Sequence, residues 1–227
     1  MRAPKKGSLL RELPIIIVSA LVVSVLVKTF FVHFFFIPSG SMENTLQVGD
    51  RIGVNKLASY FSEIKRGEVV VFRDPAGWLG APATSTDSKV IQKVKSGLVT
   101  VGVLPDPAKQ YLIKRTIGVG GDVVTCCDAK GFLTVNGVSV KEPYIFAGNK
   151  PSDSDFKVTV PKGFIWVMGD HRGASADSRF HTDDIHKGLV PTSSVVGRAT
   201  FVVWPFNHIK FLSVGSDLSK VVVNKTK

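Results

Sequence analysis

Ser41, directly after a long apolar segment, and Lys114, inside an apolar strand run, are candidates in this 227-residue chain for covalent chemistry, namely acyl transfer to a serine hydroxyl assisted by an amine. A serine hydroxyl is a weak nucleophile at neutral pH and needs a base within hydrogen-bond reach. Histidine is the usual base, and the chain has five, His33, His171, His181, His186 and His208. No G-x-S-x-G elbow surrounds any serine, however, and no H-E-x-x-H zinc signature is present. Lysine is the other choice, provided burial lowers its pKa from about 10.4 toward the working pH. The run Tyr111-Leu112-Ile113-Lys114-Arg115-Thr116-Ile117 places two cations in an apolar strand, where an unpaired charge is costly. Alternation does not choose between them: Arg115 shares a face with Tyr111, Ile113 and Ile117, and Lys114 shares one with Leu112 and Thr116. Chemistry does, because a guanidinium is not deprotonated in proteins and an ammonium can be. On the residues alone, bland alternatives stay open: a Ser-rich turn is ordinarily a cap or loop, and a strand lysine ordinarily reaches water or a carboxylate.

Ser41 follows a segment, residues 13–37, that is apolar apart from Ser19, Ser24, Lys28, Thr29 and His33. As a helix it is long enough to cross a hydrocarbon core of about 30 Å. It exceeds the apolar region of about 7–15 residues in a cleavable signal peptide, and it ends in Ile37-Pro38-Ser39-Gly40-Ser41 instead of an A-x-A site. The pattern predicts a transmembrane anchor that stays attached. Arg2, Lys5, Lys6 and Arg11 precede it and no comparable cluster follows, which predicts a single-pass protein of the cell membrane, N-terminus cytoplasmic and the remainder extracytoplasmic. Lys28 is expected to snorkel to the outer interface. The five phenylalanines from Phe30 to Phe36 form an interfacial collar or continue the span.

Beyond Gly49 come short β-rich runs bounded by Gly, Pro and Asp, at 51–54, 68–72, 111–119, 122–127, 132–135, 164–168 and 195–204. Val135-Asn136-Gly137-Val138 carries the Asn-Gly pair of a type I′ hairpin. The expected fold is mostly β, one N-terminal transmembrane helix followed by an antiparallel β catalytic domain. The expected division is a basic cytoplasmic tail 1–12, an anchor 13–37, a catalytic domain 38–212 with a surface insertion 74–110 that holds a short helix around 89–95, and a polar tail 213–227.

The net charge of +11 is compatible with nucleic acid or anionic lipid as partner. Its concentration before the apolar segment favours lipid, and no zinc finger, helix-turn-helix or aromatic RNA-binding signature follows, so no nucleic-acid role is expected. The two cysteines, Cys126 and Cys127, are adjacent, too few for a disulfide framework and wrongly spaced for a zinc cage. They are expected as two partly buried thiols in a strand, and no metal or organic cofactor is expected.

Four segments in register along the chain resemble bacterial signal peptidase I in its single-span, Gram-positive and actinobacterial-like form. They are Pro38-Ser39-Gly40-Ser41-Met42, then Gly49-Asp50-Arg51-Ile52-Gly53-Val54-Asn55-Lys56, then Lys114 through Asp122, and finally Gly169-Asp170-His171-Arg172 with Ser175-Ala176-Asp177-Ser178-Arg179. The resemblance covers nearly all of residues 13–206. It implies an endopeptidase that removes signal peptides from exported preproteins after Ala-X-Ala-like sites, with Ser41 as nucleophile and Lys114 as general base. It further implies an oxyanion hole from the Ser41 backbone N–H and the Ser39 hydroxyl, Ser175 orienting Lys114, and Asp177 and Arg179 shaping the loop. Substrate would lie extended between the strands leading to Ser41 and Lys114, with Ile37, Pro38, Met42, Leu46, Leu112 and Ile113 walling pockets for small side chains. Asn44 departs from a proline common in the family, and His171, Gly173 and Ala174 depart from an Asn-Arg-Asp-Asn-like run; His171 is expected as a structural imidazole. Two other readings are another membrane-tethered Ser/Lys protease that processes itself, and a catalytically silent surface-binding module on the same fold. Against the second stands the joint presence of Ser39, Ser41, Lys114 and Ser175.

Overall fold

The structure is a computed structural model that describes residues 9–30, 32–57, 62–80, 110–214, 217, 218 and 221. The expected short helix around 89–95, most of the expected insertion and the first eight residues lie outside these.

Helix α1 (Leu9–Phe30) is followed by strand β1 (Val32–Phe36). Among the described residues no helix is long and apolar enough to cross a membrane. The expected span 13–37 is therefore divided: its end is not helix but a strand, paired antiparallel with β2 (Arg51–Asn55). The physical reason is in the sequence, since an unbroken apolar run reads the same for a buried helix and a strand, and Val and Phe favour the pleated surface. Alternation in β1 turns Phe35 into the core and leaves Phe34 and Phe36 55% and 59% exposed.

The remaining strands are β3 (Val69–Arg73), β4 (Tyr111–Val119), β5 (Val123–Cys126), β6 (Thr134–Val135), β7 (Val138–Ser139), β8 (Phe156–Thr159), β9 (Phe164–Met168), β10 (Val190–Pro191), β11 (Val195–Trp204) and β12 (Lys210–Phe211). They make two antiparallel sheets, so the fold is mostly β. The larger has the order β1-β2-β11-β3-β4-β9-β10, with β12 added on β11; the smaller has the order β7-β6-β5-β8. The Asn136-Gly137 hairpin joins β6 to β7 with φ of 54° and 79°, the positive values a type I′ turn requires.

The continuous apolar run Val69-Val70-Val71-Phe72 is explained by burial on both faces. Val69 and Val71 face one apolar cluster with Ile37, Met42, Leu46, Ile52 and Val54, while Val70 and Phe72 face another with Leu112, Ile165 and Val167. A third cluster lies under the small sheet and includes Val124, Leu133, Val135, Trp166 and Met168. Leu218 and Val221, from the tail expected to be polar, are buried in that third cluster. Arg66 holds the segment there, donating to the Val221 carbonyl while pairing with the Asp122 carboxylate. In β2, a side chain on Gly53 would collide with the Phe201 ring of β11, so the glycine lets an aromatic ring cover the strand.

Cys126 and Cys127 are joined by a disulfide, correcting the expected pair of thiols. Cys126 is the last residue of β5 and Cys127 lies outside it, so strand alternation does not hold the two sulfurs on opposite faces.

Candidate active site

Ser41 sits in a single 3-10 turn, Gly40–Met42, between β1 and β2. The turn is pinned at both ends, since Gly49 N–H donates to the Ile37 carbonyl and Leu46 N–H to the Met42 carbonyl. Met42 and Leu46 are buried, so the turn is anchored by its apolar residues and presents the serine from a fixed frame. Lys114 comes from β4, which is paired with β3 along Tyr111–Arg115. Pairing of β4 with β9 begins only at Arg115 opposite Met168, and residues 111–114 are left with β3 as their ladder partner.

Lys114 Nζ lies 2.6 Å from Ser41 Oγ. When the amine is charged it donates to Oγ; when neutral it accepts from the hydroxyl. Both residues are buried, Lys114 5% and Ser41 6% exposed. Burial pushes the Lys114 amine from 10.5 down to about 8, and the charges of Asp177 and Asp170 oppose that shift without outweighing it. A hydrogen-bonded pair with an amine that loses its proton near neutrality can activate a hydroxyl as nucleophile.

The adjacent cation is handled differently. Arg115 Nε and Nη2 donate to the two oxygens of Asp170 at 2.8 and 2.7 Å, a fork-on-fork pair. Thr45, three residues past the serine turn, donates to the same Asp170 carboxylate, so Asp170 ties the segment after the turn to β4. Sequence reasoning assigned Asp170 and Thr45 no role. The available signal was Arg115 itself, because a guanidinium in an apolar strand requires a carboxylate partner.

Asp177 and Arg179 form an ion pair at 2.8 Å, and the second Asp177 oxygen accepts from the Gly169 N–H at 2.9 Å. Ser178 Oγ accepts from the Val167 N–H at 3.0 Å, which stitches this loop to the end of β9. Ser175 is buried, but its hydroxyl has no hydrogen-bond partner among the described residues, so the expected bond to Lys114 is not formed. Instead Ser175 packs on Gly169. A Cβ at Gly169 would lie 2.2 Å from Ser175 Oγ and 2.5 Å from the Ser41 carbonyl oxygen, so only glycine lets the three segments meet.

Ser39 precedes the turn in extended conformation, exposed, and its hydroxyl makes no helix-capping bond. Of the expected pocket residues, Ile37, Met42 and Leu46 are buried together with Ile113 packed against them, and Pro38 is exposed. Leu112 belongs to the other cluster, with Val70 and Phe72, because alternation in β4 turns it away from Ile113. Among the described residues no group of three or more His, Cys, Asp or Glu side chains could hold a metal ion.

The family model described as "Signal peptidase, peptidase S26" matches residues 10–204. Signal peptidase I of Mycobacterium tuberculosis is 41% identical over 222 residues, covering 89% of this chain and 75% of that one. The probable signal peptidase I of Mycobacterium leprae is 40% identical, covering 89% and 78%. Signal peptidase I of Bacillus licheniformis is 31% identical, covering 91% and 94%. A match across most of both chains, at these identities, means that this chain belongs to the signal peptidase family, peptidase S26.

Proposed function

We propose that Ser41 and Lys114 are the nucleophile and general base with which this signal peptidase, a serine endopeptidase, removes signal peptides from exported preproteins. The observation that carries the reading is the 2.6 Å contact between Lys114 Nζ and Ser41 Oγ, both buried, with the amine lowered to about 8. Neutral Lys114 takes the Ser41 proton as Oγ attacks the scissile carbonyl. The tetrahedral oxyanion is met by the Ser41 N–H and the Ser39 hydroxyl, donors aimed at charge that develops only in the transition state. The protonated Lys114 returns its proton to the leaving amine, an acyl-enzyme remains, and the neutral amine then activates water for deacylation.

The substrate backbone extends along residues 111–114 of β4, where β9 leaves the ladder open, so that main-chain bonds supply affinity. Side chains beside Ser41, Ile113 among them, then admit small residues of an Ala-X-Ala-like site. Ser175 is a neighbour of the dyad through Gly169, without a direct bond to Lys114.

The chain acts at the membrane, held to lipid through the apolar surface of α1, with the β domain extracytoplasmic. What supports this is the apolar surface that α1 exposes, including Leu13, Ile15, Ile16 and Leu21, together with the basic residues Arg2, Lys5, Lys6 and Arg11 before it. Exposed Phe34, Phe36, Trp204, Phe206 and Phe211 give the β domain an apolar aromatic surface suited to lipid contact.

Incubation of the full-length protein in detergent with an Ala-X-Ala preprotein tests the dyad. Ser41→Ala and Lys114→Ala are each expected to abolish cleavage while the thermal transition is retained; undiminished cleavage by either variant removes the mechanism.

A further inference from the structure

The nucleophile and the residues after it are held by two loop segments, one at residues 144–146 and one at residues 170 and 171. The Ser41 carbonyl accepts from the His171 backbone N–H at 3.1 Å. The Glu43 side chain folds back over Gly40, where a Cβ would lie 2.9 Å from both Cδ and Oε1 of that carboxylate. Its other oxygen, Oε2, lies 2.9 Å from His171 Nδ1. A carboxylate only accepts, so Nδ1 is the protonated nitrogen in this contact. The His171 ring is itself fixed, stacked on Phe146 with centroids 4.1 Å apart and planes 15° from parallel. Phe146 in turn donates its N–H to the Asp170 carbonyl. Asn44 adopts φ of 81° and sends its amide to the carbonyls of Tyr144 and Ile145 at 3.1 and 3.2 Å.

The peptide between Gly40 and Ser41 carries the N–H that must point at the developing oxyanion. Glycine gives that peptide the widest conformational freedom of any residue, and transition-state stabilisation tolerates little of it, since a misplacement of about 1 Å costs on the order of 100-fold in rate. The Glu43 carboxylate lies against Gly40 and removes that freedom, and His171 keeps the carboxylate in place. We propose that Glu43 and His171 form a clasp that positions the Gly40–Ser41 peptide for oxyanion stabilisation. Both are positioning residues, acting through the main chain of the turn and touching no reacting atom. The clasp rests on the reading of Ser41 as nucleophile and deepens it. Because a ground-state carbonyl gains little from the oxyanion donors, loosening the clasp lowers kcat and leaves KM near its original value.

The test uses the full chain in detergent, an Ala-X-Ala preprotein and active-site concentration fixed by burst titration. Glu43→Ala and His171→Phe, the latter keeping the stack on Phe146 but lacking a donor, are expected to lose about 10–100-fold in kcat with KM within about twofold. His171→Asn, whose amide can donate from nearly the position of Nδ1, and Glu43→Gln, whose carbonyl still accepts, are expected to stay within about threefold of the original kcat. Undiminished kcat in Glu43→Ala overturns the clasp, as does a loss confined to KM, or a His171→Asn variant as slow as His171→Phe. Glu43→Ala decides the matter alone should His171→Phe fail to fold. Ser41→Ala runs in parallel: cleavage by that variant refutes the nucleophile, whereas an inactive Ser41→Ala beside a fully active Glu43→Ala refutes the clasp only.

Discussion

The two ends of β4 bury charge in opposite ways. Beyond its C-terminal end the Asp122 carboxylate accepts from Arg66, from the Val119 N–H at 2.8 Å and from the Asn136 amide at 3.0 Å, so every lone-pair direction is used. Near its N-terminal end Lys114 faces a hydroxyl, and burial drives its amine toward neutrality. Arg115, one residue on, has a carboxylate to match it. A buried cation that meets a carboxylate holds segments together; one that meets only a hydroxyl becomes a group that gives and takes a proton. Among the described residues no carboxylate is ion-paired with Lys114, and that, more than any difference in depth, separates the two ends.

Lys114→Arg is the sharpest way to break that comparison. It keeps a cation of similar reach in the same strand, yet a guanidinium is no base, and cleavage is expected to fall at least about 1,000-fold by single-turnover assay. Activity near the original level would mean that charge, not proton transfer, is what the site requires. At the other end, Arg66→Leu leaves Asp122 without its cation and is expected to cost about 3–5 kcal/mol in chemical denaturation, with kcat per folded molecule retained. A kcat loss larger than the folded fraction explains would show that the two ends are coupled.

The pH profile follows from the sign of the Lys114 shift. Only the neutral amine is a base, so kcat/KM is expected to rise about tenfold per unit below about 8 and to level off above it. A profile already flat from pH 6 upward would assign the proton to another group. The same shift affects stability. An amine whose pKa is lowered on folding penalises the native state wherever it is protonated, so the penalty is complete below about 8 and fades toward 10.5. Lys114→Met is therefore expected to raise stability at pH 7 by about 1–3 kcal/mol while abolishing cleavage, with the gain shrinking at pH 10. A variant less stable at pH 7 would mean that the bond to Ser41 outweighs the desolvation. The smallest expected effect concerns Gly137, at φ of 79° in the hairpin, where Gly137→Ala costs about 1 kcal/mol in thermal unfolding without altering kcat.

Much of the fold was legible because the strands announce themselves locally. The runs at 111–119, 164–168 and 195–204 are rich in β-branched and aromatic residues, and Asn136-Gly137 fixes its own turn. β1 was not, because a strand that continues an apolar helix without a polar break has no boundary to read. Leu218 and Val221 were missed for a related reason: a lone leucine among polar residues and the three-residue run Val221-Val222-Val223 are too short to carry periodicity, and only the third cluster shows that Leu218 and Val221 belong inside. Ser41 and Lys114 could be named from chemistry as candidates, one a hydroxyl needing a base and the other a strand cation able to lose its proton, but only the family resemblance singled them out from bland alternatives. Asp170 was not, since its partners Arg115 and Thr45 lie 55 and 125 residues away along the chain.

Only residue 31 stands between the end of α1 and the start of β1. On the proposed anchoring of α1 in lipid, that junction would give the protease no leash. A flexible linker of many residues would let the serine sweep a volume and sample loops of exported chains at any distance, at a correspondingly diluted effective concentration. On that same proposal a junction this short would work as a depth gauge instead, spending the local concentration of the enzyme on bonds that emerge within a narrow layer above the bilayer and sparing the same sequences once they have moved further out.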